Sequence, residues 1–505
     1  MDKSVLAVTN GLSPLLGFAT MIGLGAFLLI LSFIIKTALV RNTHDFIIAD
    51  RKVGFGFGVG SVIAVWTWAM AVMMSSAMTY QWGLSGLFWF VVPNGFAVIA
   101  MIPFARILRR NMPQGYTISE FVKYRFAQSK VASGIVTLTM IFGILLEILI
   151  NLKGTSVVIS TVFSIDWKVA AIVGIICVLT YSYFGGLWTS VMTGTLNTLM
   201  VTVPAAIVVA AVYEHVHGGA PAVFDAVGGG GPAQSFGAAS RRGGGFRHYA
   251  GLRPSRGNRR RPDVLAESVG DPRPGSLAHV LLGRRPVLSD PNLPRHARPG
   301  RHRLWAEAGR HWRRHRRHRT LCGLAHRSAT GAGGAFYVLS ILAACYSTID
   351  GASAALSSVV AVDIVKRYWP ATKEGRLFVI TKFSMLLGGA VATVIVLSGV
   401  DFTTLVLTTY ALKTSILLPL VLAILWPRTN TVGFVGGVTL AILIGMPIYE
   451  TQGELIGTLS IVAISGITVV IAGFAGSAKF DIASLRRVSD DIATDEPAVV
   501  AQPAE

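Results

Sequence analysis

The residues able to do chemistry lie inside apolar stretches, as hydroxyls, small residues and a few ionisable groups. One cluster runs from Ser61 through Ala64, Trp66, Thr67, Trp68 and Met70 to the pair Ser75 and Ser76. A second holds Cys345, Tyr346, Ser347, Thr348, Asp350 and Gly351, then Ser357, Ser358 and Asp363, Lys366, Arg367 and Tyr368. A third is Tyr181, Gly185, Gly186 and Trp188, and a fourth is Thr117, Glu120, Lys123, Tyr124, Arg125 and Phe126. A hydroxyl in an apolar helix either bonds its own backbone or offers oxygen to a neighbour or ligand. Asp350 lies three residues past Ser347, on the same helical face, and an acid at membrane depth is a functional candidate by default. Glu147, Lys153 and Lys413 are weaker cases of the same kind, and Lys153 is placed to snorkel. No phosphate loop, zinc spacing or nucleophile elbow occurs, so no enzyme activity is expected.

The elements that must position these residues follow from composition. The chain has 505 residues, 52% hydrophobic and 14% charged, the profile of an all-α polytopic membrane protein. Eleven apolar stretches are candidate spans, at 15–35, 55–77, 87–105, 132–159, 169–183, 191–212, 336–362, 377–398, 403–425, 432–448 and 455–475. The first is followed by basic residues rather than a cleavage site, so it reads as a span and not a signal peptide. Lys36, Arg41, Arg51 and Lys52, then Arg106, Arg109, Arg110 and Lys123, place the first and third connections in the cytoplasm. The uncharged segment 79–86 is then an external loop. By alternation the N-terminus is outside and the C-terminus inside, in a cell (inner) membrane. Cys177, Cys322 and Cys345 give neither a disulfide framework nor metal-ligand spacing.

Residues 241–330 stand apart. They hold 22 Arg, no Lys and 5 acids, which is +17 of the formal net charge of +20. The excess is local, so it does not argue for a nucleic-acid partner of the whole chain. A basic binding arm and an irregular external loop are two readings of this block. Out-of-frame translation is the third. If each Arg is a CGN codon, a one-base shift of 309–319 gives mostly Val, Ala, Gly, Ile and Thr. The same shift near Arg241 also yields apolar codons. Alternation requires the block to cross the membrane zero or two times, and two apolar helices satisfy that. Paired shifts near 230–241 and 327–335 are therefore expected to have replaced two helices. The expected organisation is a membrane region 1–212, an external loop 213–240, the aberrant segment 241–330, a membrane region 331–476 and a disordered cytoplasmic tail 477–505.

In span order and in all four clusters, over both flanks, the chain resembles the sodium:solute symporter family. Trp66, Thr67, Trp68 and Ala69, then Ser75 and Ser76, with Tyr80, Gly83, Gly86 and Trp89, look most like the urea/polyamine-permease branch. The resemblance implies two inverted five-helix repeats with extra flanking helices, and broken helices that bind ion and solute at mid-membrane. The first repeat would run over 55–212. The block 241–330 would stand in place of the first two helices of the second repeat. Carried over, the sodium ligands are the carbonyls of Ala64 and Thr67 and the hydroxyls of Ser347 and Thr348. Unwound backbone and hydroxyls suit a hard cation, which takes several close oxygens. The solute path would take Trp66, Trp68, Ser75, Ser76 and Asp350. Two positions depart from the family: Gly194 stands where many members have an acid, and Met74 where the urea branch has Gln. The implied function is inward sodium-coupled symport of a small polar solute, urea or a related nitrogenous compound first. The alternatives are a carboxylate or amino-acid symporter, or a transporter-like sensor, for which a signalling domain after Ala475 is expected and not seen.

Overall fold

A computed structural model describes residues 13–215, 218–222, 332–399, 402–452, 454–476 and 480–487. The block 241–330, and with it the expectation of irregular structure there, lies outside the described residues. Every regular element among the described residues is helical. In lipid this is the economical solution, since a helix satisfies its own backbone.

The order is α1 (Pro14–Leu39), α2 (Thr43–Ile48), α3 (Phe55–Trp66), α4 (Ala69–Asn111), α5 (Ile118–Arg125), α6 (Lys130–Phe163) and α7 (Trp167–His215). After the block come α8 (Ala332–Val359), which ends in a π-helical turn Val360–Lys366, α9 (Glu374–Leu397) and α10 (Phe402–Leu425). The last are α11 (Thr431–Leu440), α12 (Met446–Gln452) and α13 (Glu454–Ala475), then a short 3-10 helix Ile482–Arg487. Side-chain caps set several starts: Ser13, Asn42, Thr117, Ser129 and Asn430 each accept a backbone N–H from the first turn.

Eight helices are long and apolar enough to cross a membrane, or nine with the bent pair α3 and the start of α4. The eleven expected stretches are nevertheless helical, apart from the break at Thr67 and Trp68 and the terminal Ser398. One of the eight, α7, carries two of them, and α10 carries another. At 49 residues α7 would be about 73 Å long if straight, more than twice a bilayer core. It is not straight. Gly186 has φ 54° and ψ −134°, and a Cβ there would fall 2.4 Å from the Phe46 carbonyl oxygen. Ser182 and Thr193 would be about 16 Å apart along a straight axis. Yet Ser182 Oγ donates to Asp350 Oδ1 at 2.5 Å and Thr193 Oγ1 to Asp350 Oδ2 at 3.1 Å. The chain therefore bends back at Gly185 and Gly186, and the stretches at 169–183 and 191–212 remain separate spans.

Two expectations are corrected. The loop expected over 79–86 is helical, because α4 runs unbroken from Ala69 to Asn111. That segment has no Pro to stop it, and Gly83 and Gly86 are only weak breakers in an apolar setting. The tail expected to be disordered from 477 is ordered over 480–487. Phe480 stacks under Arg125, its ring centroid 4.5 Å from the guanidinium carbon, and Leu485 is buried with Met112, Phe121 and Phe434.

The main core joins α1, α6, α7 and α8 through Met21, Leu28, Ile148, Leu149, Tyr181, Ile341, Leu342 and Tyr346. Within it α8 is the central helix. Tyr181 OH donates to the Tyr346 carbonyl at 3.0 Å, and Tyr346 OH donates to the Met21 carbonyl at 3.2 Å. Both phenols are thus satisfied at full burial, as a close-packed interior demands.

Candidate functional site

The helix at Phe55 is broken where its hydroxyl and tryptophans cluster. Thr67 leaves the helical region (φ −84°, ψ 57°), and the two halves meet at 53°. The last bond of α3 runs from the Thr67 N–H to the Ile63 carbonyl. The next begins at the Trp68 carbonyl, which accepts from Ala71 and Val72. The carbonyls of Ala64, Val65 and Trp66 follow the last bond of α3, as the terminal acceptors of any helix do. Ala64 is the one buried residue of α3. Two hydroxyls of α7 hold the helix in place: Thr195 donates to the Phe57 carbonyl at 3.2 Å and Thr198 to the Gly60 carbonyl at 2.7 Å. Gly60 permits the approach, since a Cβ there would sit 2.7 Å from Thr195.

Against this break lies α8. A Cβ on Gly351 would meet the Val65 side chain at 2.9 Å, so only a glycine lets the two helices close here. Ser347 is buried and its Oγ has no hydrogen-bond partner. A buried hydroxyl without a partner costs about 1–3 kcal/mol, so it calls for an explanation. Thr348 donates to its own helix at the Ala344 carbonyl, 2.9 Å, which leaves its oxygen lone pairs available. Open carbonyls beside a partnerless hydroxyl suit a hard cation.

The remaining expected residues are distributed differently. Ser75 and Ser76 both donate to the Val72 carbonyl, at 3.0 and 2.9 Å, so their protons are spent on their own helix. Trp66 is exposed and Trp68 half-buried, both flanking the break. Asp350 is fully buried and faces the fold of α7, whose two arms it ties together. Glu147 and Lys413 pair with each other, and the Lys153 ammonium lies over the Trp167 ring, 3.3 Å from its centroid.

Sequence reading missed several partnerless polar groups near α8: Asn151 Oδ1 on α6, both amide atoms of Asn197 on α7, and Ser353 Oγ on α8. The available signal was an Asn inside an apolar stretch. It also saw the second and fourth clusters without seeing that they touch. Thr117 caps α5 by accepting from the Glu120 N–H at 3.0 Å, and it donates to Asp363 Oδ1 at 2.7 Å. From the same segment Arg125 caps the end of α10, donating to the carbonyls of Ala423 at 3.0 Å, Trp426 at 3.1 Å and Pro427 at 3.3 Å. Burial pushes its guanidinium down to about 10. Beside α2, Asp50 is held below the usual carboxylate range by its bond to Lys52.

The Sodium:solute symporter family matches over residues 46–231. The probable urea active transporter 1 of Schizosaccharomyces pombe is 27% identical over 201 residues, 38% of this chain and 30% of that protein. A urea-proton symporter of Oryza sativa subsp. japonica is 26% identical over 211 residues, 40% of this chain and 29% of that one. The matches thus span under a third of the length of these curated relatives. A solved structure described as the substrate-bound outward-open state of a Na+-coupled sialic acid symporter aligns with a TM-score of 0.66 at 14% identity, covering 92% of this chain and 98% of that one. The family resemblance carried by the residues is borne out, with its urea-transporter leaning, and so is the all-α transporter fold.

Proposed function

We propose that the chain is built as a cation-coupled symporter for a small polar solute, with sodium as the transported cation and urea as the first candidate solute. The observation that carries this reading is the buried, partnerless Ser347 hydroxyl on the helix packed against the break in α3. Ala64 and Thr67 would offer carbonyl oxygens, and Ser347 and Thr348 hydroxyl oxygens. Trp66 and Trp68 flank the same break, where a solute would pass. The names of the two urea-transporting relatives support the solute. One of them is named a urea-proton symporter, and that favours a proton as the second reading of the coupling ion. The site would sit in a cell membrane with the N-terminus outside and the C-terminus in the cytoplasm, as the basic connections support.

Paired frameshifts around 241–330 are part of the same proposal. A broken helix is tolerated at membrane depth only where protein or a water-filled cavity surrounds it. Apart from Ala64, α3 has no buried residue, although it carries the break. Two further core helices would supply the cover. Sequencing the gene tests this directly: a shifted frame that reads as two uninterrupted apolar stretches is expected, and stop codons within it would end the idea. For the symport reading, a sodium gradient is expected to drive urea uptake by the frame-restored protein in proteoliposomes. Uptake that follows only a proton gradient would transfer the coupling role to the proton.

A further inference from the structure

Asn197 is fully buried on the second arm of α7, and neither end of its amide has a hydrogen-bond partner. It is the one side chain among the described residues with two such atoms. Its neighbours fix where it points. Thr193, one turn earlier, reaches Asp350 of α8. Gly194 lies against Ser61 of α3, and Thr198 donates to the Gly60 carbonyl of α3. At about 100° per residue, with Thr193 as zero, Asn197 lies at about 40°, Gly194 at about 100° and Thr198 at about 140°. Asn197 therefore points between the direction of α8 and the direction of α3.

The facing helix gives the complementary result. On α8, Asp350 points to α7 and Gly351 to Val65 of α3. With Asp350 as zero, Gly351 lies at about 100° and Ser347 at about 60°, so Ser347 points into the same wedge. The levels agree as well. The first arm of α7 runs alongside α8 in the same direction, with Tyr181 at Tyr346 and Ser182 at Asp350. The second arm bends back, so it runs against α8. One turn forward from Thr193 to Asn197 thus meets one turn back from Asp350 to Ser347.

Charge identifies the occupant. Asp350 takes hydrogen bonds from hydroxyls, and no ion pair forms at it among the described residues. On the helices packed on α8, Lys382 of α9 lies over the rings of Phe378, Tyr183 and Phe46, Lys153 of α6 and Lys168 of α7 over Trp167, and Lys36 of α1 over Phe33 and Phe184. A fully buried carboxylate without a counter-charge is costly. A bound cation in the wedge would supply one and would also satisfy the oxygens of Asn197 and Ser347.

We propose that Asn197 is a direct oxygen ligand of the transported cation, sharing its cleft with Ser347. This rests on the cation-coupled symport reading above. The test uses the purified full chain in detergent, with sodium chloride as probe against choline chloride. Thermal stability and tryptophan fluorescence are read as sodium is titrated. Asn197→Leu keeps the shape and removes both partnerless atoms, so the sodium-free protein should melt at the same temperature or higher. Its sodium midpoint should weaken at least tenfold. Asn197→Asp, which adds charge to the same oxygen, should tighten the midpoint several-fold and serves if the Leu variant does not fold. Midpoints within threefold of the parent in both variants would overturn the role of Asn197 and leave the symport reading standing. A parent chain with no sodium response would overturn the reading and the inference together.

Discussion

Two helices that touch at Val65 and Gly351 have opposite surroundings. The most apolar 18-residue window of Phe336–Lys366, which covers most of α8, is 61% buried, and Ser347 of that helix is buried without a partner. In α3 only Ala64 is buried, while Phe55, Val62, Ile63 and Trp66 are exposed. Exposure alone would mean little in a membrane, where an apolar helix faces lipid without cost. The window within Ser85–Asn111 of α4 has no buried residue and is such a case, a helix that stays continuous through Pro93 and Pro103. The case of α3 differs because it is broken, and carbonyls left beyond its last bond would cost several kcal/mol each in lipid. The contrast teaches that, among the described residues, the α8 side of the candidate site is covered and the α3 side lacks a wall. The covered side carries the hydroxyls proposed to bind the ion, and the open side carries the tryptophans proposed to meet solute.

The largest expected effect breaks the buried side. Leu342→Ala on α8 should cost about 2–5 kcal/mol of stability, since the residue is fully buried in the main core. Unfolding of the detergent-purified protein by heat or denaturant checks this, and a cost under 1 kcal/mol (roughly) would mean that the packing around α8 is loose. Next comes the polar tie of α5 to α10. Arg125→Ala removes a charged donor from three carbonyls and should cost about 1.5–3 kcal/mol. Its folded pKa, lowered to about 10 by burial, still leaves it charged near neutrality, so its contribution should be flat between about pH 6 and 8. The sign appears only in alkali. Between the folded value and the higher unfolded one the unfolded state binds more protons, so this group's contribution rises with pH. The smallest effect sharpens the comparison. Ile63→Ala on exposed α3 should change stability by no more than about 0.5 kcal/mol in the present chain. In a frame-restored chain the same substitution should cost about 1 kcal/mol or more, because the side chain would then be covered.

Much of this was legible in the sequence, for identifiable reasons. Apolar length fixes the spans, because lipid leaves the backbone no alternative to a helix. The separation of the two arms of α7 was legible as two apolar stretches, 169–183 and 191–212, while the closeness at Gly185 and Gly186, where a side chain would collide with Thr189 or Phe46, came only with the structure. The helical state of 79–86 was not, because a polar, uncharged segment without Pro reads equally as loop. Order at 480–487 depends on Arg125 and Met112, hundreds of residues away, and no local pattern announces it. In the site, Ser347, Thr348 and Asp350 stood out as hydroxyls and an acid in an apolar run. Asn197 did not, because its meaning comes from having no partner, which only tertiary structure reveals.

The most direct measurement is uptake of labelled urea into proteoliposomes under an inward sodium gradient, with the present chain beside its frame-restored counterpart. The account predicts sodium-driven accumulation by the restored protein and none by the present chain, while both respond to sodium in thermal stability. Equal uptake by the two chains would contradict the missing wall, and restored uptake indifferent to sodium would contradict the coupling.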